Sequence, residues 1–394
     1  MNNMLRDNID WVGYVDWNLR DFHGYTTSRG STYNAYLVRD QKVALIDTVK
    51  GLYAGDLLDH IRALTDPAKV DYIICNHAEP DHSGALPAAV RACPSAEVVC
   101  DGKCRDTLSS YYDMAGWRWR IVRGGDVLPL GKRSLTFIEA PMVHWPESML
   151  TYCPEEKILF SNDAFGQHLA ASSRFDDEVD LRIALDEARK YYANILMLYG
   201  APIAKTLEKA AGLPIEIIAP SHGVIWRKNL PAIIEAYRGW TRLKAVPKVL
   251  VIYDSMWEST AQMAQAIVEG ACQPGVEARL MHARRTDLTD IATEVLDAAC
   301  LAFGSPTLNG QMMPVMAAVM GYLKGLRPAN KPAFAFGSYG WAKGGTKDLT
   351  EAMAAMKLDI VREPITAAYR PTPAVLEECR SAGQMLAAKA LAVS

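Results

Sequence analysis

Ile74-Cys75-Asn76-His77-Ala78-Glu79-Pro80-Asp81-His82-Ser83-Gly84 decides how the chain is read. An apolar strand-like run, Tyr72–Cys75, ends, and two imidazoles and two carboxylates follow between positions 77 and 82. Pro80 and Gly84 shape the turn. Alternation sends positions 77 and 79 one way as a pair and leaves Asp81 and His82 facing a second point. A solvated loop can be polar, but histidines and carboxylates at this density rarely serve packing. Four hard or borderline donors on one short loop suit two adjacent metal ions better than one.

Three more positions extend the pattern. His144 stands in Pro141-Met142-Val143-His144-Trp145-Pro146, after a strand-like run Leu135–Ile138. Asp163 stands in Ser161-Asn162-Asp163-Ala164, after Ile158–Phe160, and His222 in Pro220-Ser221-His222-Gly223, after Ile215–Ile218. Taken singly, each reads as a capping or hydrogen-bonding residue at a strand end. Together with the 77–82 loop they use four of the eight histidines, which makes coincidence a poor explanation.

These residues carry a resemblance. His77-x-Glu79-x-Asp81-His82, then His144, Asp163 and His222, is similar to the ligand series of the metallo-β-lactamase fold in its flavodiiron variant, and the words NAYLV, GALPA, HWPESM, LFSNDAFGQH, YYANI and SHGVIWR match that family too. The resemblance implies that His77, Glu79 and His144 hold one iron, that Asp81, His82 and His222 hold the other, and that Asp163 bridges them. In the related zinc hydrolases a histidine matches Glu79; a carboxylate there adds negative charge and a hard oxygen, which suits an iron pair cycling between ferrous and ferric states. His23, His168 and Tyr192 fall in stretches that match the family near the di-iron pocket, and are expected to donate hydrogen bonds to a bound diatomic; ordinary structural bonding is the competing reading.

The rest of the chain fits two domains. At about 150 residues per domain, 394 residues suggest two or three. A composition break near Trp240–Lys248 places the boundary, giving expected domains 1–246 and 247–394. The first mixes strand-like runs (Tyr33–Val38, Val43–Ile46, Glu97–Val99, Met149–Tyr152) with helical stretches Leu57–Leu64 and Leu181–Leu198, an α+β pattern. The resemblance makes it an αββα sandwich. The second domain repeats a strand, loop, helix unit after 249–253, 300–303 and 333–336, as a doubly wound parallel sheet does.

The loops after those three strands converge on one edge, where such sheets bind ligands. Ser255, Met256, Trp257, Ser259 and Thr260 form the first, ahead of a helix whose N-terminus can cradle a phosphate. Ser305, Pro306, Thr307 and Asn309 form the second; Gly337, Ser338, Tyr339, Gly340 and Trp341 form the third. In flavodoxin-like folds these loops hold FMN, with Tyr339 or Trp341 stacked on its ring. Glycine is usual where this chain has Glu258, whose carboxylate is expected to point to solvent.

The eight cysteines are scattered without paired CxxC spacing, so buried thiols are expected, and neither a rubredoxin-type extension nor iron–sulfur ligation. A net charge of -3 offers no basic field for nucleic acid, and no apolar run nears the roughly 18 residues of a membrane span. With a polar N-terminus, these features predict a soluble cytoplasmic protein. The resemblance implies an oxidoreductase that passes electrons from a rubredoxin-like or other external donor through FMN to iron, reducing O2 to water or NO to N2O. It also implies a head-to-tail homodimer or a dimer of dimers. The alternatives are a zinc hydrolase fused to a flavodoxin module, a non-enzymatic electron carrier, and a redox-sensing protein.

Overall fold

The computed structural model describes residues 3–393. The chain forms two compact units: one runs to Tyr191 and resumes over Tyr199–Arg238, and the other comprises Tyr192–Leu198 and the chain from Gly239 onward.

Two sheets make the first unit. One has the order Met4–Arg6, Ile9–Trp11, Tyr36–Arg39, Val43–Ile46, Tyr72–Ile74, Glu97–Cys100, Arg118–Ile121; the other runs Val127–Pro129, Ser134–Glu139, Met149–Cys153, Ile158–Asn162, Ile217–Pro220. Their facing sides bury one core, with Tyr36, Ile46, Ile74 and Val99 from the first meeting Phe137, Met149, Ile158 and Phe160 from the second. Burial is worth about 1.5–3 kcal/mol for each large side chain removed from water. Alternate residues Leu37, Leu45, Ile73 and Val98 face the other way, in a second cluster with Leu57 and Ile61 of helix Ala54–Arg62, Leu86 of Leu86–Ala92 and Leu108 of Gly102–Tyr111. This is the helix–sheet–sheet–helix sandwich of the metallo-β-lactamase fold.

Register explains where the functional loops gather. Ser134–Glu139 is antiparallel to Met149–Cys153, which is antiparallel to Ile158–Asn162, and the latter is parallel to Ile217–Pro220. Three strands of that sheet therefore end at the same edge, and the loops carrying His144, Asp163 and His222 follow them. The amide of Met149 donates to Asn76 O (2.9 Å), which ties the loop after Tyr72–Ile74 to this edge.

Two elements differ from the sequence reading. The run 33–38 is two strands, Ser31–Tyr33 and Tyr36–Arg39. Asn34 breaks it, because its side chain accepts from Trp11 Nε1 (2.7 Å) and donates to Pro220 O (2.8 Å) and Gly223 O (3.0 Å). The helix expected over 181–198 ends at Tyr191 and continues as a π-helical turn, Tyr192–Leu196. That turn packs within the second unit, where Tyr322 Oη donates to Asn194 Oδ1 (2.7 Å) and Asn194 Nδ2 donates to Thr289 O (3.3 Å).

The second unit is a parallel sheet in the order Glu277–His282, Val246–Tyr253, Ala298–Gly304, Pro332–Tyr339, with Asp359–Ile360 and Ile365–Ala368 both beside the last. Val249, Val251, Cys300, Ala302 and Phe334 pack against helices Ser259–Ala271 and Pro373–Leu391. Leu250, Ile252, Leu301 and Phe303, on the other face, are buried as well. Strands buried on both sides read as continuous apolar runs, as they do here. No helix among the described residues is long and apolar enough to cross a membrane.

Candidate metal centre and flavin pocket

Asp163 is the hub of the first unit's polar cluster, fully buried at the end of Ile158–Asn162. Its Oδ2 lies 3.5 Å from His77 Nε2 and 3.5 Å from His144 Nε2. Its Oδ1 lies 3.2 Å from His82 Nε2 and 3.3 Å from His222 Nε2. Glu79 Oε2 closes the first group at 3.3 Å from His77 and 3.2 Å from His144. Asp81 Oδ2 closes the second at 3.2 Å from His82 and 3.1 Å from His222. The cluster is thus two sets of donors, each with two imidazoles and one carboxylate, joined by the two oxygens of a third carboxylate.

These spacings are informative because, apart from His77 Nε2 with Glu79 Oε2 (3.3 Å), hydrogen bonds do not account for them. Asp81 and Asp163 oxygens and the Nε2 atoms of His82, His144 and His222 are buried without a hydrogen-bond partner. Buried polar atoms left unpaired are costly. Donors about 2.1 Å from one ion stand about 3.0 Å apart along an octahedral edge and about 3.4 Å along a tetrahedral one. Six of the eight separations, 3.1–3.3 Å, lie in that range, and the two from Asp163 Oδ2, at 3.5 Å, stand just outside it.

The outer bonds set which nitrogen faces inward. His77 Nδ1 donates to Glu147 Oε1 (2.7 Å), and His222 Nδ1 donates to Thr32 O (2.7 Å), so in the neutral form of each ring Nε2 is the nitrogen whose lone pair faces the cluster. Glu147 Oε1 also accepts from Ala78 N (3.2 Å). A buried network holds the loops together: Asp47 accepts from Asn76 N (2.8 Å) and Asn76 Nδ2 (3.0 Å), Thr151 Oγ1 donates to Asn76 Oδ1 (2.7 Å), and Asn162 Nδ2 donates to Ser221 Oγ (3.2 Å). Pro80 starts the short helix Pro80–Ser83, and a Cβ on Gly84 would collide with the Pro80 and Gly51 backbone.

Electrostatics follow from this packing. Burial would raise the Asp163 carboxyl, but the imidazoles of His82, His144 and His222 hold it well below the usual carboxylate range. Asp81 is lowered in the same way by His82, His222 and His23, and Glu79 falls to about 2 against its burial through His144 and His77. Burial pulls the imidazoles down, yet Asp163 with Asp81 lifts His222 to about 10, and Asp163 with Glu79 lifts His144 to about 9. In the metal-free protein protons therefore occupy the place of cations.

The second unit carries a cavity of about 940 Å3 at the C-terminal edge of its sheet. Met256, Trp257, Ser259, Pro306, Thr307, Asn309, Ser338, Tyr339, Gly340 and Trp341 line it, with Gln262, Tyr369 and Arg370. Trp257 and Trp341 are 82% and 93% exposed, which is unusual for indoles and leaves their faces open to a planar ligand. Glu258 adopts φ +63°, a conformation that favours glycine; its side chain is exposed and does not cap helix Ser259–Ala271. Ser255 Oγ takes the Ala261 amide, and the other amides of this first turn, which Glu258 leaves uncapped, suit a phosphate.

The profile of the ODP family beta lactamase matches residues 32–223, and that of flavodoxin matches residues 251–383. The chain is 46% identical over 390 residues to the nitric oxide reductase of Moorella thermoacetica, covering 98% of each. It is 41% identical over 386 residues to the rubredoxin-oxygen oxidoreductase of Megalodesulfovibrio gigas, covering 97% of this chain and 96% of that one. The crystal structure of the flavodiiron protein from Giardia intestinalis superposes with a TM-score of 0.97 at 39% identity, over 100% of this chain and 97% of that one. The chain belongs to the flavodiiron protein family.

Within this flavodiiron protein the other expected residues fall unequally. His23 Nε2 reaches the cluster, 3.5 Å from Asp81 Oδ2 and 3.8 Å from Glu79 Oε1. His168 stands one step back, its Nε2 3.2 Å from His23 Nδ1 and its Nδ1 2.8 Å from Ser31 Oγ. Burial, then the neighbouring His222 and His23, hold its pKa well below the usual histidine value. Tyr192 is placed differently. It falls in the second unit, where the π turn begins at that residue, with its ring 5.3 Å from that of Trp240. Its neighbour Tyr191 packs on His168 at 5.0 Å and on His222 at 6.1 Å between ring centroids.

In the flavin pocket Ser255, Thr260, Ser305 and Gly337 do not form the lining, and support it instead. Ser255 Oγ accepts from Ala261 N (3.3 Å), Thr260 and Ser338 hydroxyls meet at 2.9 Å, and Ser305 Oγ accepts from Met313 N (2.8 Å). A Cβ on Gly337 would collide with Ser305 O. The sequence reading missed Glu147, Tyr191, Tyr369 and Arg370. For Glu147 a signal existed, an acid within the matched word HWPESM.

Proposed function

We propose that this chain is a flavodiiron reductase that takes electrons from an external carrier and reduces a diatomic gas, O2 to water or NO to N2O. The observation that carries the reading is Asp163, one fully buried carboxylate whose two oxygens face two separate sets of His, His and carboxylate donors. His77, Glu79 and His144 would hold one iron, Asp81, His82 and His222 the other, and Asp163 would bridge. Three carboxylates among seven donors favour a hard, redox-active metal over zinc. A pair of irons held by these residues would supply a place to share the electrons and charge taken up by the gas, and FMN in the second unit would supply one- or two-electron chemistry.

The chain's own residues do the rest. Glu147 and Thr32 fix the tautomers of His77 and His222. His23 lies within reach of Asp81 and Glu79 and is backed by His168 and Ser31, which suits it to bond a molecule at the cluster. The first turn of helix Ser259–Ala271 would take the FMN phosphate, Thr307, Asn309 and Ser338 the polar groups, and Tyr339, Trp341 or Trp257 the ring faces. The names of the Moorella and Megalodesulfovibrio relatives support NO and O2 as substrates and a rubredoxin-like donor. A head-to-tail homodimer, alone or paired into a tetramer, would bring FMN of one copy to iron of another.

The test is an anaerobic preparation in which iron and flavin per chain are counted, followed by reduction and separate records of O2 and NO consumption. Iron with FMN and consumption of either gas supports the proposal, and the faster gas names the substrate. Zinc in place of iron with neither gas consumed would replace it with the hydrolase reading.

A further inference from the structure

A separate cavity of about 160 Å3 lies in the first unit, between the outer face of the second sheet and the helices that start at Gly200 and Leu230. Leu150, Leu159, Ile203, Leu207, Ile218 and Ile234 supply most of its wall. Val143 and Ala164 complete it at one end, and these are the chain neighbours of His144 and Asp163. The cavity therefore abuts the backbone of two of the loops that form the metal cluster.

Its polar lining is already engaged. Thr206 Oγ1 donates back to Pro202 O (3.1 Å), Tyr237 Oη accepts from Phe165 N (2.7 Å), and Arg238, with a half-exposed side chain, pairs with Glu235 (3.8 Å). The pocket opens to solvent beside Ala211 and Arg238, while Leu150, Leu159, Ile203 and Ile218 at its inner wall are buried and apolar, the lining that accepts xenon or benzene elsewhere. The inner apolar wall disfavours ions and favours a small uncharged solute.

We propose that this cavity is a holding site for the diatomic gas, feeding the cluster past Val143 and Ala164. The inference rests on the gas-reductase reading above and adds a second site to it. O2 and NO are small, uncharged and weakly hydrated, so apolar walls raise their local concentration beside the loops that carry His144 and Asp163.

The test uses xenon on the native protein and two cavity-filling variants, Ile203→Phe and Ala210→Phe. Crystals of the native protein under xenon pressure are expected to show xenon among Leu150, Leu159 and Ile203. The filled variants are expected to exclude xenon, to keep native iron and FMN contents, and to lose several-fold in kcat/KM for the gas, with the loss falling on KM. Leu150→Ala, which enlarges the space, is expected to raise xenon occupancy. Absence of xenon from the native cavity would overturn the proposal, and so would unchanged kcat/KM in filled variants that retain iron and FMN. Should both filled variants lose iron, xenon occupancy in the native protein and in Leu150→Ala decides. Failure of the underlying reading is distinguishable: a native protein that consumes neither gas removes the substrate and the holding site with it, whatever xenon does.

Discussion

Replacing Glu147 by Gln is the sharpest test of how the ligands are held. Glu147 is buried, and its Oε1 accepts from His77 Nδ1 at 2.7 Å and from Ala78 N at 3.2 Å. Burial raises its pKa, but the bond and charge of His77 outweigh that, so the carboxylate is ionised at neutral pH. Hydrogen bonds to a charged partner are worth about 1.5–3 kcal/mol and neutral ones about 0.5–1.5. The amide keeps an acceptor for Nδ1 but loses the charge, a difference of about 1–1.5 kcal/mol, or roughly tenfold in equilibrium constant. Glu147→Ala also leaves a buried N–H unpaired and frees the ring to turn, which extends the loss toward the hundredfold limit for residues behind metal ligands, about 10–100-fold. The assay is iron retained per chain against a graded series of chelator concentrations, with FMN content, bound in the other unit, as the control for folding. Iron retention equal to native in both variants would refute the argument that Glu147 sets the basicity and orientation of His77. Loss in the Ala variant alone would assign it orientation without charge.

Three further outcomes follow from the same geometry. Asp163→Asn weakens iron at both positions while His144→Ala weakens one, because the two Asp163 oxygens face different imidazole pairs; iron per chain at constant FMN reads the difference. In the metal-free protein, His144 near 9 and His222 near 10 stand above their ordinary value of 6.5. Their stabilisation is complete below about pH 6.5 and is lost as pH rises through those folded values, so Tm of the metal-free form falls from neutral pH into the alkaline range. Iron-loaded protein, whose imidazoles would be ligated and neutral on the proposed assignment, is expected to lack this slope; thermal unfolding of both forms across pH checks it. Tyr191→Phe lowers gas turnover at unchanged iron content, whereas Tyr192→Phe does not, since only Tyr191 packs on His168 and His222. Steady-state rates of the two variants decide.

What could be read in the chain beforehand was what local density and strand ends reveal. His77, Glu79, Asp81 and His82 stand out because four donors crowd one short turn, and His144, Asp163 and His222 because each follows an apolar run. Their gathering depends on register: three strands of one sheet end at one edge, which the alternation of Leu135, Phe137, Ile158 and Phe160 foreshadows without fixing. Tyr191 and Tyr192 mark the limit. Adjacent residues on a helix point about 100° apart, and which of the two faces the cluster is set by a π turn that has no local signature. Glu147 was hidden for another reason, since its partner His77 is seventy positions away. Tyr369 and Arg370 follow a four-residue strand, Ile365–Ala368, too short to announce a loop.

The two halves of the metal cluster are alike in donors and unlike in what stands behind them. On one side a buried, ionised carboxylate backs His77, and on the other a neutral carbonyl backs His222. A charged acceptor polarises the imidazole N–H more strongly and makes its Nε2 the better donor. The second half has a compensating feature, because Asp81 is fully buried whereas Glu79 is only partly so, and charge counts for more where water is excluded. On the proposed assignment the halves would therefore hold their ions by different means, one through an outer carboxylate and one through a drier inner one. Glu147→Gln weakens the first alone. Partial iron loading of that variant would fill the Asp81–His82–His222 side first, and two equally filled positions would show that the outer carboxylate does not distinguish them.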